Sequence, residues 1–565
     1  MLFHLKFNNL KMAVTKMDWQ KNILLAAILS VLFLLVIRWN DYSEQHPAPT
    51  AIAAQTQTAP ANSNSEIPSA IPLPTTTNVK ETTAVASTSI IKVKTDTLLV
   101  EINPVGGDIV RIALPKHSAD ISTPDIPFVL MENNAEHTYI AQSGIVGTNG
   151  TDTVQGRPTF SVAQTEYTLE NGKDQLVVDL TLQQYQINIT KRFTFTREKY
   201  LVGVEYIIDN QTPNKWIGSF YAQIKRDDKQ FAKANAMSLS PFLGAAITTP
   251  EEKYKKFNFE DIAEKDFKAT VEGGWISMVQ HYFISAWIPD NKSTNTYNLR
   301  KLSNQNMYIF GFTSNPIEIF SGGTASIKAS FYAGPKDTES LEKISPYLDL
   351  TVDYGWLWMI AKPLFWLLKF IHGFVGNWGL AIIGLTLIIK AAFFHLSATS
   401  YKSMAKMKKL TPKMQELKER YGDDRQKMSQ ETMKLYQTEK VNPLGGCLPM
   451  LIQMPVFLAL YWVLSESVEL RHSPFYFWIV DLSIKDPYYV LPIIYGITMW
   501  FMQKLNPQPA DPMQARVMQM LPIVFTFMFL WFPSGLVLYW ITNNVLSMAQ
   551  QYVINKQIEN ADTKA

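Results

Sequence analysis

Apolar and polar positions divide the chain into three textures. From Ile23 to Trp39 an unbroken apolar run, ILLAAILSVLFLLVIRW, carries charge only at Arg38. It approaches the roughly 20 residues that cross a bilayer as a helix. Lys6, Lys11, Lys16 and Lys21 precede it, so a cleavable signal is the competing reading. Asn40, Asp41 and Tyr42 follow where a small-residue cleavage site would stand, which favours a retained anchor over residues 23–39. Residues 1–22 then stay in the cytoplasm, and Met17 is an alternative start to Met1. Residues 40–89 are rich in Ala, Pro, Thr, Ser, Asn and Gln and read as a flexible tether.

From 90 to 340 the period becomes two. QLVVDLTLQQYQINITKRFTFT (Gln175–Thr196) and YLVGVEYIIDNQ (Tyr200–Gln211) alternate apolar with polar side chains. Turn pairs such as Gly106-Gly107, Asn171-Gly172 and Gly322-Gly323 punctuate them. Many short alternating runs between turn residues predict one large all-β sandwich.

After Tyr354 long apolar runs return. WLWMIAKPLFWLLKFIHGFV, within 355–375, places Lys362, Lys369 and His372 on one arc and predicts an amphipathic helix lying in the membrane interface, with a span as the rival. Pro363 suits a first turn, and Gly376-Asn377 ends the helix. Five spans are predicted, over 377–396, 446–465, 488–504, 517–532 and 535–553, with a tail over 554–565. Residues 399–441 read as a helical hairpin: Met407, Leu410, Met414, Leu417 and Tyr421 form a heptad seam. Pro412 restarts the helix behind a Thr411 cap, Gly422 turns the chain, and Asp423 or Asp424 caps the second helix.

Charge then orients these elements. Residues 401–440 hold eleven Lys/Arg against six Asp/Glu and belong inside, whereas 465–487 hold only Arg471 and Lys485 as cations. The sandwich therefore lies outside and both termini inside. Lys406, Lys408, Lys409 and Lys413 are the candidate docking cations of the hairpin. The net charge of +3 on 565 residues argues against nucleic-acid recognition. A single cysteine, Cys447, excludes an internal disulfide and the cysteine-based zinc sites. His117, His137 and His281 and the carboxylates of the sandwich are scattered, so neither catalysis nor a cofactor is expected.

One residue stands out. Lys390 lies inside an apolar run, where a cation costs roughly 2.5–3.5 kcal/mol on insertion scales. Snorkelling toward His395 is its bland explanation. Thr386 lies one turn earlier, Gln453 in the second core span, and Tyr539, Trp540, Asn543 and Asn544 in the last. Each polar group alone is ordinary helix–helix glue; together they predict a wetted pocket open to the cytoplasm.

EKVNPLGGCLPMLIQMPVFLALYWVL (Glu439–Leu464), FLWFPSGLVLYWITNN (Phe529–Asn544), DPYYVLPI (Asp486–Ile493) and YKSMAKMKKLTPKMQELKERYGDD (Tyr401–Asp424) closely resemble the YidC/Oxa-type membrane protein insertases. The NPVGGDI stretch and the anchor–linker–sandwich order resemble the Gram-negative form of that family. The resemblance implies a multidomain inner-membrane protein: a six-helix bundle of anchor plus five-helix core, a periplasmic β-supersandwich and a cytoplasmic hairpin. It implies nascent membrane proteins, the Sec translocon, the ribosome and membrane lipids as partners. Residues 555–565, with two Lys, one Glu and one Asp, do not repeat the basic ribosome-binding tail of some relatives. It also places Lys390 at the positive charge of the substrate groove, where the family usually has Arg, and Thr386 and Trp540 along the substrate path, Tyr being common at the latter. Two other classes compete: a secondary transporter, which usually shows repeated halves, and a membrane-anchored carbohydrate-binding or carbohydrate-active sandwich.

Overall fold

The computed structural model describes residues 65–68, 89–229, 241–303, 305–422, 424–439, 441, 448–506 and 512–562. The expected anchor (23–39), nearly all of the tether and Cys447 lie outside the described residues. Strands run from Ile91 to Pro335 in two sheets, of eleven and nine strands. The larger sheet centres on Trp216–Asp227, paired antiparallel with Tyr139–Val146 and Met307–Ser314. The smaller centres on Leu201–Asn210, between Ile187–Thr196 and Gly323–Pro335. Every second residue of Leu201–Asn210 is buried, as strand geometry requires when one face packs on a partner sheet. Ile145, Phe220 and Ile224 from one sheet and Phe193, Val204 and Trp287 from the other share the core. The expected sandwich is therefore present.

The outer face of the smaller sheet is also covered. Ala246, Val279, Ile284 and Tyr332 join the same apolar cluster as the helices that follow. Among the described residues the helices are α1 (Phe259–Glu264), whose Ile262 belongs to the sandwich core, α2 (Thr338–Ile344), α3 (Trp358–Val375), α4 (Trp378–Ala392), α5 (Phe394–Lys409), α6 (Thr411–Tyr421), α7 (Arg425–Thr438), α8 (Leu448–Glu466), α9 (Val490–Leu505), α10 (Pro512–Phe529) and α11 (Ser534–Asp562). Among the described residues, Gly355–Val375 is long and apolar enough to cross a membrane alone; Val490–Leu505 and Ala515–Phe529 are apolar but shorter.

Four details correct the sequence reading. The expected span over 377–396 breaks at Phe393, where α4 and α5 bend by 69°; no Pro or Gly marks the break. Pro363 lies inside α3, because a 3-10 turn (Gly355–Leu357) precedes the helix. Leu410, not Thr411, occupies the cap position of α6, without a side-chain cap, since Pro412 needs no N–H partner there. The last helix continues through the expected tail to Asp562; residues 536–562 contain neither Pro nor Gly to stop it.

The ends expected at Gly376 and Asp424 hold, and two further helix starts are defined by Asn377 and Gly535. Gly376 ends α3 at φ 65°, and its N–H donates to the His372 carbonyl. Asn377 caps α4 by accepting from Leu380 N at 3.0 Å. Asp424 caps α7 by accepting from the N–H groups of Gln426 and Lys427. Gly535 opens α11 where a Cβ would press on Ile382 and the Leu482 carbonyl, each at 3.2 Å.

Candidate functional site

The last helix organises the polar groups of the bundle. Asn543, Ser547 and Gln551 recur every four residues, so they share one face, and all three are buried. Each meets a different neighbour. Asn543 Oδ1 accepts from Gln453 Nε2 of α8 at 2.6 Å. Ser547 Oγ lies 2.7 Å from Lys390 Nζ of α4, which donates to it. Gln551 Nε2 donates to Asn506 Oδ1, just beyond α9, at 3.2 Å. Beside this column Asn544 Nδ2 donates to Thr498 Oγ1 of α9 at 3.2 Å.

Lys390 belongs to the last turn of α4 because the helix ends at Ala392. It is half-buried. Among the described residues no carboxylate pairs with it, and its amine donates inward, across the bundle, to Ser547. Ser547 in turn donates to the Asn543 carbonyl at 2.6 Å, which fixes its hydroxyl and leaves a lone pair for the amine.

Of the residues expected here, Gln453 meets Asn543, whereas Lys390 meets Ser547 and Asn544 meets Thr498. Thr386 is buried on the same helix as Lys390, but its hydroxyl bonds back to the Ile382 carbonyl at 2.7 Å, spending its polarity on its own backbone. Tyr539 is buried in the apolar cluster. Trp540 packs among Phe457, Tyr495 and Phe529 at centroid distances of 4.9, 6.2 and 6.1 Å. Its Nε1 is buried without a hydrogen-bond partner among the described residues, as is Gln551 Oε1. Sequence reasoning missed Ser547, Gln551 and Thr498. The four-residue spacing of Asn543, Ser547 and Gln551 was the available signal.

The bundle's outer surface is apolar: Met454 and Leu458 of α8, Ile493 and Ile497 of α9, and Ile523 and Phe527 of α10 are exposed. In the hairpin Lys406, Lys408 and Lys409 are exposed at the end of α5, and Lys413 pairs with Glu439 at 2.6 Å.

The β region brings together charges that look scattered in sequence. Arg157 pairs with Asp108 and, at 3.2 Å, with Asp152. Lys191 donates to the Gly106 and Ser143 carbonyls at 3.0 and 3.1 Å. Burial pushes the Lys191 amine down to about 7 and raises the Asp152 carboxyl. His137 meets Asp227 at 2.8 Å. Asp152 also accepts the Ile145 N–H, so the Asp108–Asp152 pair ties strands and loops together.

Two family models match the chain: the YidC periplasmic domain over residues 90–367, and the 60Kd inner membrane protein over 370–561. A membrane protein insertase YidC of Cellvibrio japonicus is 65% identical, covering 97% of this chain and all of the relative. The protein of that description from Saccharophagus degradans is 53% identical over 96% of this chain and all of its own length. An active YidC insertase crystal structure covers 82% of this chain and 92% of its own, at 17% identity and a TM-score of 0.36.

Proposed function

Because the chain belongs to the family of the membrane protein insertase YidC, its function is membrane protein insertion, and we propose that the polar column on α11 carries it. The family is an inner-membrane one with a periplasmic domain, so the β region is periplasmic. The observation that carries the reading is the Lys390–Ser547 contact, with the Gln453–Asn543 pair one turn away on the same face of α11.

An apolar client segment gains free energy on entering lipid, about 0.3–0.6 kcal/mol for each central Leu or Ile. The barrier is the client's polar flank. Lys390 attracts acidic residues of that flank, and the amides of Gln453, Asn543 and Asn544 supply hydrogen bonds partway across, shortening the stretch through hydrocarbon. Trp540 Nε1 and Gln551 Oε1, without partners among the described residues, are further contacts for water or client. The apolar segment slides along the exposed side chains of α8 and α10, where flexible Met454 and Met520 suit varied sequences. The groove opens to the cytoplasm.

The remaining features form the rest of the proposal. Residues 23–39, α4, α8, α9, α10 and α11 make six spans, with both termini cytoplasmic. Helix α3 lies in the interface rather than crossing: Lys362 pairs with Asp349 and Lys369 with Glu339, both at 2.8 Å. These acids precede the helix, and the pairs hold its basic arc at the periplasmic surface. Nascent membrane proteins are the clients. Lys406, Lys408 and Lys409 dock acidic partners, whether ribosome or lipid headgroups, and the Sec translocon is a second partner.

Lys390→Ala in a strain depleted of the chromosomal protein, assayed with a short client bearing an acidic flank, tests the reading. Insertion is expected to fall; undiminished insertion refutes an essential charge. Photocrosslinking from position 540 to a nascent chain should give a product, and its absence removes Trp540 from the path.

A further inference from the structure

Residues 65–68 lie within the expected tether, yet they rest against the β domain. Three hydrogen bonds and an ion pair hold them. Arg300 donates to the Ser65 carbonyl at 2.7 Å and to the Glu66 carbonyl at 3.5 Å. Gln223 Nε2 donates to the Glu66 carbonyl at 3.0 Å. Lys225 pairs with the Glu66 carboxylate. Within the segment the Ile67 N–H donates to Ser65 Oγ at 3.3 Å, which bends it locally. Pro68 is buried.

The receiving surface is the outer face of the eleven-stranded sheet. Phe220, Ala222 and Ile224 point into the sandwich core, so the alternate Gln223 and Lys225 point outward. Arg300 follows the core residue Leu299 on Thr294–Lys301, two strands away, and points outward too. Sheet faces covered merely by packing are apolar. This one presents a guanidinium, an ammonium and an amide toward carbonyls and a carboxylate of one short segment. Gln223 is aimed by a relay: its Nε2 also donates to Gln142 Oε1 at 2.9 Å, and Gln142 Nε2 donates to Asp108 Oδ2 at 3.0 Å. Both glutamines are only 4% exposed. On the ligand side, residues 43–89 contain four charged residues, Glu44, Glu66, Lys80 and Glu81. One of these meets Lys225.

We propose that this face is a docking site for a short, bent acidic peptide, and that Ser65–Pro68 occupies it in cis as a clamp on the tether. The clamp divides the connection between the expected anchor and the first strand. Undivided, residues 40–89 reach at most ~180 Å when fully extended; residues 40–64 alone reach at most ~90 Å. Docking thus halves the distance over which the β domain can stray from the anchor.

A glutamyl endopeptidase applied to the full-length protein in membranes tests this, with cleavage after Glu44 and Glu81 as internal references. Lys225→Glu should speed cleavage after Glu66 on the order of tenfold, the loss of one charge-assisted bond, and leave the reference sites unchanged. Equal rates at Glu66 in the two proteins would overturn the clamp. A second measurement does not depend on a destabilising charge. In a Cys447→Ser background, Glu66→Cys and Lys225→Cys should be joined by a short bismaleimide within one chain. Failure to join them, while each cysteine still takes a single maleimide, would also overturn it.

Discussion

Lys390 and Ser547 stand 157 residues apart in sequence, yet the lysine ammonium donates to the serine hydroxyl across the interior of the bundle at 2.7 Å. The serine orients the amine, because its own proton is committed to the Asn543 carbonyl. Ser547→Ala should therefore lower insertion of clients with acidic flanks several-fold, less than Lys390→Ala does, and leave neutral-flank clients unaffected. Lys390→Arg should retain insertion, since charge persists. Reconstituted proteoliposomes with paired clients measure this. Equal loss for both client types would mean that Ser547 serves only packing.

Half-buried Gln453 and buried Asn543 form an amide pair. Leu at either position strands the other amide, at about 1–3 kcal/mol. The double replacement by Leu should recover much of that stability while insertion stays low. Thermal melts and insertion assays on the same four proteins complete a double-mutant cycle. Insertion that recovers together with stability would assign the pair a structural role alone.

At the junction between the β domain and α8, Lys336 and Glu466 form an ion pair at 2.8 Å, with side chains 2% and 8% exposed. His281 Nε2 lies 2.7 Å from the neighbouring Ser465 carbonyl. Breaking one partner of such a pair costs about 3–5 kcal/mol, whereas replacing both by apolar groups is often neutral. Lys336→Met should thus lower the melting temperature more than Lys336→Met combined with Glu466→Met. Limited proteolysis of the β domain gives a second readout.

Burial beside Asp337 and Glu339 raises the Glu469 carboxyl to about 7, despite Lys369 at 4.0 Å. Below pH ~4.5 the carboxyl is neutral in both folded and unfolded chains. Between about 4.5 and 7 the unfolded chain ionises first, so this group's contribution falls as pH rises through that window. Glu469→Gln should flatten the pH dependence and stabilise the protein at pH 7.5, by up to ~3 kcal/mol from the size of the shift. Melts at pH 5 and pH 7.5 in detergent check it; a Gln variant that melts in parallel with the parent at both would remove Glu469 as the cause.

Local periodicity was enough to read the strands, the helices and the division between them. Alternation in Leu201–Asn210 reports one buried face, Gly376 and Asn377 mark a helix end and the next start, and the positions of Lys390, Gln453, Asn543 and Asn544 mark polarity in apolar runs. Periodicity says which face is buried, not what covers it. The turn of Gln223 and Lys225 toward Glu66 and the meeting of Asp108 with Arg157 rest on contacts between distant stretches of chain. Only the folded chain could decide them. A hydrogen bond is satisfied by whichever partner packing brings within about 3 Å, and several partners of the right chemistry are available to each group in the sequence.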